Sequence, residues 1–156
     1  MLAALALLCA LIAGHEPSAV LRAFWEQENA LFDAGDIAAA ADLNVATWVG
    51  PAASQAVRDQ VRQMQRHAFE VQLSADEEFS SASGEADLSA ISARCLALSG
   101  GHDLPDFRQI AARIPDLVPG ARHFELPWAG HLPSLERPPE VTPLLLSFLA
   151  GQPAAA

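Results

Sequence analysis

The sequence predicts an α/β protein with about three parallel strands, flanking helices and an inserted helical lobe. Three segments are predicted as strands, the apolar residues 1–13 and 95–99 and the mixed residues 122–126, and each is followed by a helical pattern. Three amphipathic helices also come in succession with no strand between them. Strands that alternate with helices indicate a parallel sheet, and the run of helices indicates an insertion into it.

Composition and charge exclude several classes of protein. The chain has 156 residues, 51% of them hydrophobic, which is enough for one domain with a core. Its formal net charge of -10 argues against a nucleic-acid binder, because that function needs a basic face. Cys9 and Cys95 both lie in apolar segments, so we expect buried free thiols and neither a disulfide framework nor a zinc site.

The apolar amino terminus is compatible with a buried strand or with a signal peptide. A signal peptide has basic residues before its apolar part, whereas the first arginine here is Arg22. The segment is also too short to span a bilayer as a helix. We therefore expect a strand, a cytoplasmic protein and no membrane contact. Cleavage near Gly14 would instead support a secreted helical protein.

Residues 15–90 are predicted to form a helical cap followed by an acidic linker. Ser18, Asp36 and Ser54 stand where the three helices should begin, and these residue types cap helix starts. Residues 74–89 are acidic and rich in serine, which is typical of an exposed linker.

The core is predicted to combine residues 1–14 with residues 91–150, and residues 151–156 should form a frayed tail. A closing helix is expected over residues 140–149, with one apolar face. Pro143 is compatible with this helix if it lies in the first turn, where the amide that proline lacks would be unpaired anyway.

An acid and a histidine follow two neighbouring strands of the predicted sheet. Asp103 comes after segment 95–99 and a Gly-rich turn, and His131 comes after segment 122–126. The carboxyl ends of parallel strands meet at the same edge of a sheet, so the two side chains should lie close together. A carboxylate beside an imidazole is a common acid–base arrangement, and the pair predicts an active site.

These residues resemble the carboxyl-terminal part of an α/β-hydrolase. In that family the acid lies in a Gly-x-x-Asp turn, as in residues 100–103 here, and the histidine lies in a Gly-His-x-x-x-x-Glu-x-Pro context, as in residues 130–138. The likeness covers residues 91–149, and the upstream helices resemble the family's cap. The resemblance implies that residues 1–13 are the sixth strand of that fold.

The resemblance also implies a chemistry. His131 would act as the general base and Asp103 would orient its ring, in the hydrolysis of an ester or other acyl-type bond of a small apolar substrate through a Ser-His-Asp mechanism. Neither a cofactor nor a metal is implied. Dehalogenases, peroxidases and carbon–carbon hydrolases share the pattern, so the reaction stays open. Candidate substrate-pocket residues are Trp25, Trp48 and Trp128, although simple helix packing explains the two cap tryptophans as well.

The family's nucleophile is missing from the sequence. No Gly-x-Ser-x-Gly motif occurs, and neither Ser99 nor Ser134 has the strand, sharp turn and helix that hold such a serine. The first predicted strand would also have an unpaired apolar edge. We therefore expect a truncated piece of a longer hydrolase, whose serine comes from the missing amino-terminal half or another chain. The alternative is a non-catalytic small-molecule binding or interaction module.

A metal site is a competing interpretation of the same residues. His102 could bind a metal together with His131 and Asp106, but no helical histidine pair or second carboxylate stands at ligand spacing, so we expect none. The other histidines are expected at the surface or at helix ends: His15, His67 and His123.

Overall fold

The computed structural model describes residues 3–75 and 87–151. Residues 76–86 of the predicted acidic linker, and all but the first residue of the predicted tail, lie outside the described residues. No helix in the described part of the chain is long and apolar enough to cross a membrane. The elements in chain order are β1 (Ala4–Leu8), α1 (Ala19–Asp33), α2 (Ile37–Trp48), α3 (Gln55–Leu73), a short 3-10 helix (Leu88–Ala90), β2 (Arg94–Gly100), α4 (Pro105–Leu117), β3 (Arg122–Leu126), α5 (Pro133–Glu136) and α6 (Pro138–Leu149).

The three strands form one parallel sheet in the order β1-β2-β3, as predicted. β2 is the central strand and is buried on both faces. Its Cys95 packs with Ile114 of α4 on one face, and its Leu98 packs with Phe148 of α6 on the other. Such burial on both faces explains why β2 reads as a continuous apolar segment.

The first strand is shorter than the predicted segment 1–13. Within the described residues, β1 ends at Leu8, because the next residue, Cys9, has φ of +47° and leaves the extended conformation. The amide of Cys9 makes the last bond to the sheet, donating to Leu98 O at 2.9 Å. β1 lies at the edge of the described sheet and pairs with β2. All five of its residues are half-buried.

The three cap helices begin at the predicted residues. Each start is fixed by a side-chain oxygen that accepts a bond from a backbone amide of the first turn, which satisfies one of the unpaired donors there. The pairs are Ser18 with Leu21, Asp36 with Ala39 and Ser54 with Val57. Helix α2 then packs against α3 through small residues, since Ala40 and Ala41 are buried against Phe69.

The prediction for Pro143 was wrong, because α6 begins at Pro138 and Pro143 therefore lies in the second turn. The proline leaves one carbonyl of the helix unpaired, four residues earlier at Pro139. Pro139 is exposed, so water can bond that carbonyl and the helix continues.

A buried carboxylate joins the start of α1 to the start of α4. Asp106, 1% exposed, accepts bonds from the amide of Ser18 at 2.7 Å and its hydroxyl at 2.6 Å, and pairs with Nε2 of His15 at 2.9 Å. The expectation that His15 is a surface or capping residue was wrong, because its side chain is largely buried against Asp106. Burial raises the pKa of Asp106, but the bonds from Ser18 and His15 outweigh burial and hold the pKa below its usual value.

Replacing Asp106 with alanine is expected to lower the free energy of unfolding at pH 7 by about 2 to 3 kcal/mol, since it leaves the buried donors of Ser18 and His15 unpaired. A carboxyl whose pKa is depressed on folding stabilises fully above its unfolded pKa, about 4, and this stabilisation is lost as the pH falls through the lower folded pKa. The difference between the two proteins should therefore shrink below pH 4. Urea unfolding at several pH values measures it, with the exposed Asp116→Ala of the same helix as the control. An equal loss in both variants would contradict the role of Asp106.

Candidate active site

Asp103 and His131 meet at the carboxyl ends of β2 and β3. Nδ1 of His131 lies 2.9 Å from Oδ2 of Asp103. The other carboxylate oxygen of Asp103 accepts a bond from the amide of Leu104 at 2.7 Å. Asp103 is buried, and each of its carboxylate oxygens has a hydrogen-bond partner. A carboxylate can only accept a hydrogen bond, so Nδ1 carries a proton and donates to it. Nε2 is then the ring nitrogen that can face a reacting group.

The two turns that carry this pair are bonded to each other through their backbones. The amide of Gly101 donates to Leu126 O at 2.8 Å, and the amide of His102 donates to Ala129 O at 2.9 Å. The turns approach so closely that a Cβ added to Gly100 would lie 1.9 Å from Gly130 O. A glycine is therefore required at position 100 by this contact.

The loop around His131 is held by a buried acid and by the cap. Glu136 is 7% exposed and accepts bonds from the amides of Gly130, at 2.9 Å, and Leu132, at 3.3 Å, which are the two neighbours of the histidine. The amide of His131 itself donates to Trp48 O at the end of α2, at 2.7 Å. These bonds fix the backbone of His131 at three consecutive amides.

Aromatic rings surround the imidazole. The centroids of Phe107 and Trp48 lie 4.3 Å and 4.8 Å from that of His131, and Phe24 packs on Trp48 at 4.8 Å. The His131 side chain keeps 24% of its surface exposed. The imidazole is therefore partly exposed among aromatic rings, and these surroundings suit an apolar group placed next to it.

The three tryptophans expected in the pocket have different positions. Trp48 contacts His131, whereas Trp25 is 41% exposed on α1. Trp128 is half-buried beneath the guanidinium of Arg137, 4.6 Å from the ring centre. Phe107, which does contact His131, was not among the residues expected in the pocket. Its position in the first half of α4, soon after Asp103, could have indicated that it lies over the site.

The cysteine at the end of β1 joins the pair, which the sequence did not indicate. Cys9 is 4% exposed, and its Sγ lies 3.9 Å from Gly130 O. Burial raises the pKa of the thiol to about 12, and the negative charge of Asp103 adds to the rise. The thiol is therefore neutral near pH 7, and only a thiolate is a strong nucleophile. A buried thiol in this state is a poor nucleophile.

His102, His131 and Asp106, which were weighed above as metal ligands and not expected to bind one, do not come together. Asp106 faces His15 and Ser18, and His102 is exposed. A different group comes together instead. Cys9, Asp103 and His131 each offer one ligand atom, and these three atoms lie within 4.8 Å of one another.

Ser99, the serine at the end of β2, is fully buried and bonds to Nε2 of His123 at 2.8 Å. This bond directs its hydroxyl to β3 and not to His131. His123 is half-buried on β3, so the expectation that it is a surface or capping residue was also wrong.

Comparisons with known proteins identify the fold. No family model matches the sequence, and no curated protein matches it. The chain is similar to the carboxylesterase CesB of Bacillus subtilis, with a TM-score of 0.66 and 22% identity over 97% of this chain and 52% of that one. An esterase from Thermogutta terrifontis gives 0.64 and 18%, over 95% and 56%. A hydrolase from Pseudomonas aeruginosa gives 0.61 and 25%, over 94% and 55%.

The described residues thus form a parallel sheet flanked by helices, with an acid and a histidine at the carboxyl ends of neighbouring strands. The similarity to these structures shows that the chain has a partial α/β-hydrolase fold, as predicted. It spans little more than half the length of the solved structures that it matches.

Proposed function

We propose that this chain supplies the acid and the base of an enzyme that hydrolyses an ester or other acyl-type bond in a small apolar substrate. The observation that carries the proposal is the 2.9 Å contact between His131 Nδ1 and Asp103 Oδ2 at the carboxyl ends of two parallel strands. Esterases and a hydrolase among the similar solved structures support this reaction class.

The roles follow from the geometry. Asp103 holds the imidazole of His131 by Nδ1, so Nε2 takes the proton of a serine hydroxyl and later gives it to the leaving group. The rings of Trp48 and Phe107 contact the imidazole and favour an apolar acyl group beside it. Trp128, half-buried in the loop before His131, is the further candidate for substrate contact, whereas the exposed Trp25 is the weaker one.

The serine of the mechanism comes from sequence outside this chain. The free edge of β1 is the place where that sequence would join the sheet, because no strand of the described part pairs with it there. Beside β1 lies an apolar cavity of about 400 Å³, lined by residues that include Leu7, Ile12 and Ile91, away from Asp103 and His131. A further strand with its own helix would cover both the edge and the cavity. Such elements have room in a protein of the size of CesB, because this chain covers only 52% of that structure.

The test uses the protein isolated from its native cells. Its intact mass is measured first, together with any chain that stays bound to it. The preparation is then assayed with p-nitrophenyl butyrate and labelled with a fluorophosphonate, which reacts with activated serines. We expect turnover, and a label on one serine that does not belong to this 156-residue sequence.

A preparation with neither turnover nor label would contradict the hydrolase and favour the alternative, a non-catalytic small-molecule binding module. The aromatic wall formed by Phe24, Trp48 and Phe107 is present in this chain whether or not a serine reaches it, and this observation keeps the alternative open.

A further inference from the structure

The group formed by Cys9, Asp103 and His131 has a second possible ligand besides the substrate. We propose that these three side chains bind a thiophilic divalent cation of the zinc class, which blocks the acid–histidine pair when it is bound. The binding itself stands on the geometry of this chain alone, and only its inhibitory effect rests on the proposed function.

The chemistry of the three donors suits such an ion. A thiolate, an imidazole and a carboxylate are the ligands of zinc in proteins, and three protein ligands leave a fourth position for water. The soft sulfur of Cys9 distinguishes the site from one for Mg²⁺ or Ca²⁺, which take oxygen ligands. On binding, the thiol loses its proton to solvent and the ring of His131 adopts the tautomer with its proton on Nε2. Nδ1 is then free to bind the ion, which lies between the sulfur, the ring and the carboxylate.

The distances require a small rearrangement, since the 2.9 Å between His131 Nδ1 and Asp103 Oδ2 must lengthen and the longest separation must shorten. The three ligand atoms lie within 4.8 Å of one another. Tetrahedral zinc, with bonds of roughly 2.0 to 2.3 Å, needs ligand atoms about 3.5 Å apart. Rotation of the side chains of Cys9 and His131 would bring the three ligand atoms to the separations that zinc needs. The ion can reach them from solvent because 24% of the His131 side chain is exposed.

The backbone of Cys9 is an independent observation at the same place. Its φ of +47° lies in the left-handed region, which is unfavourable for a residue that has a side chain. Cys9 is the sole residue other than glycine with positive φ in the described part of the chain. Conformations of this kind are concentrated at binding and active sites. Here the strained residue also carries the soft ligand atom.

The experiment titrates the full 156-residue chain, freed of metal by a chelator, with Co²⁺ as a spectroscopic substitute for zinc. We expect one Co²⁺ per chain and a thiolate-to-cobalt absorption band in the near ultraviolet, which added Zn²⁺ removes by competition. This readout needs no turnover, so its failure is distinct from failure of the hydrolase proposal. Where the native preparation turns over p-nitrophenyl butyrate, Zn²⁺ should also inhibit it at the concentration that displaces Co²⁺.

Cys9→Ser should abolish the thiolate band, and the matched Cys95→Ser should keep it, because Cys95 lies buried in β2 among apolar residues. His131→Ala, which keeps the thiol, should weaken Co²⁺ binding at least tenfold and decides the matter if Cys9→Ser does not fold by circular dichroism. A band that is absent from the unmodified chain, or that survives in Cys9→Ser, would overturn the proposal.

Discussion

His131→Ala, introduced into the native gene, is expected to lower kcat for p-nitrophenyl butyrate by roughly four orders of magnitude. In the proposed mechanism the ring takes the serine proton, and the neighbouring side chains offer no substitute: burial raises the pKa of Cys9, and Ser99 is bonded to His123. Asp103→Asn should cause a loss of similar size. An amide can donate to Nδ1, which favours the tautomer with the proton on Nε2 and blocks its use as a base.

The control is His67→Ala, because His67 is an exposed histidine on α3, away from the pair. It should leave kcat and KM unchanged. Steady-state kinetics on the isolated variants, with circular dichroism to establish folding, provide the comparison. A folded His131→Ala protein that keeps a tenth or more of the activity would show that another group is the base.

Gly130→Ala is expected to produce a large loss of stability, about 3 kcal/mol, which is the upper range for overpacking in a core. A Cβ at this position would lie 2.4 Å from the amide nitrogen of Gly50 and 2.6 Å from Trp48 O. Both are backbone atoms, so no side chain can rotate away. Either the histidine loop or the end of α2 must move, and the bond from His131 to Trp48 is then lost.

The matched control is Gly120→Ala. Gly120 has φ of +74° and nothing within 4 Å of an added Cβ, so its variant should lose only about 1 kcal/mol from backbone strain. Urea unfolding gives both values. If Gly130→Ala were no less stable than Gly120→Ala, the close contact of Gly130 with Gly50 and Trp48 would not constrain the fold.

The sequence predicted what depends on local pattern. The strand before Asp103 and the cap residue Ser18 were found because periodicity and capping act over a few residues. The neighbourhood of Asp103 and His131 was predicted too, since the topology of parallel strands brings such ends together. The fold recognised from their motifs is the one that the structural comparison shows.

What the sequence did not predict depends on contacts between distant segments. Asp106 was considered only as a metal ligand, yet it is buried and bonded to His15 and Ser18. Cys9 reaches the pair because the chain leaves the strand at a left-handed residue, and no periodicity marks that point. Neither the size of a side chain nor its spacing reveals which remote surface will cover it.

The bond from the amide of His131 to Trp48 O gives the molecule a built-in reporter. That amide hydrogen can exchange with solvent only when the last turn of α2 separates from the histidine loop. Its hydrogen-exchange rate therefore measures how often the end of α2 separates from the histidine loop. A ligand that holds the cap closed slows this one hydrogen, even if it makes no contact with the imidazole.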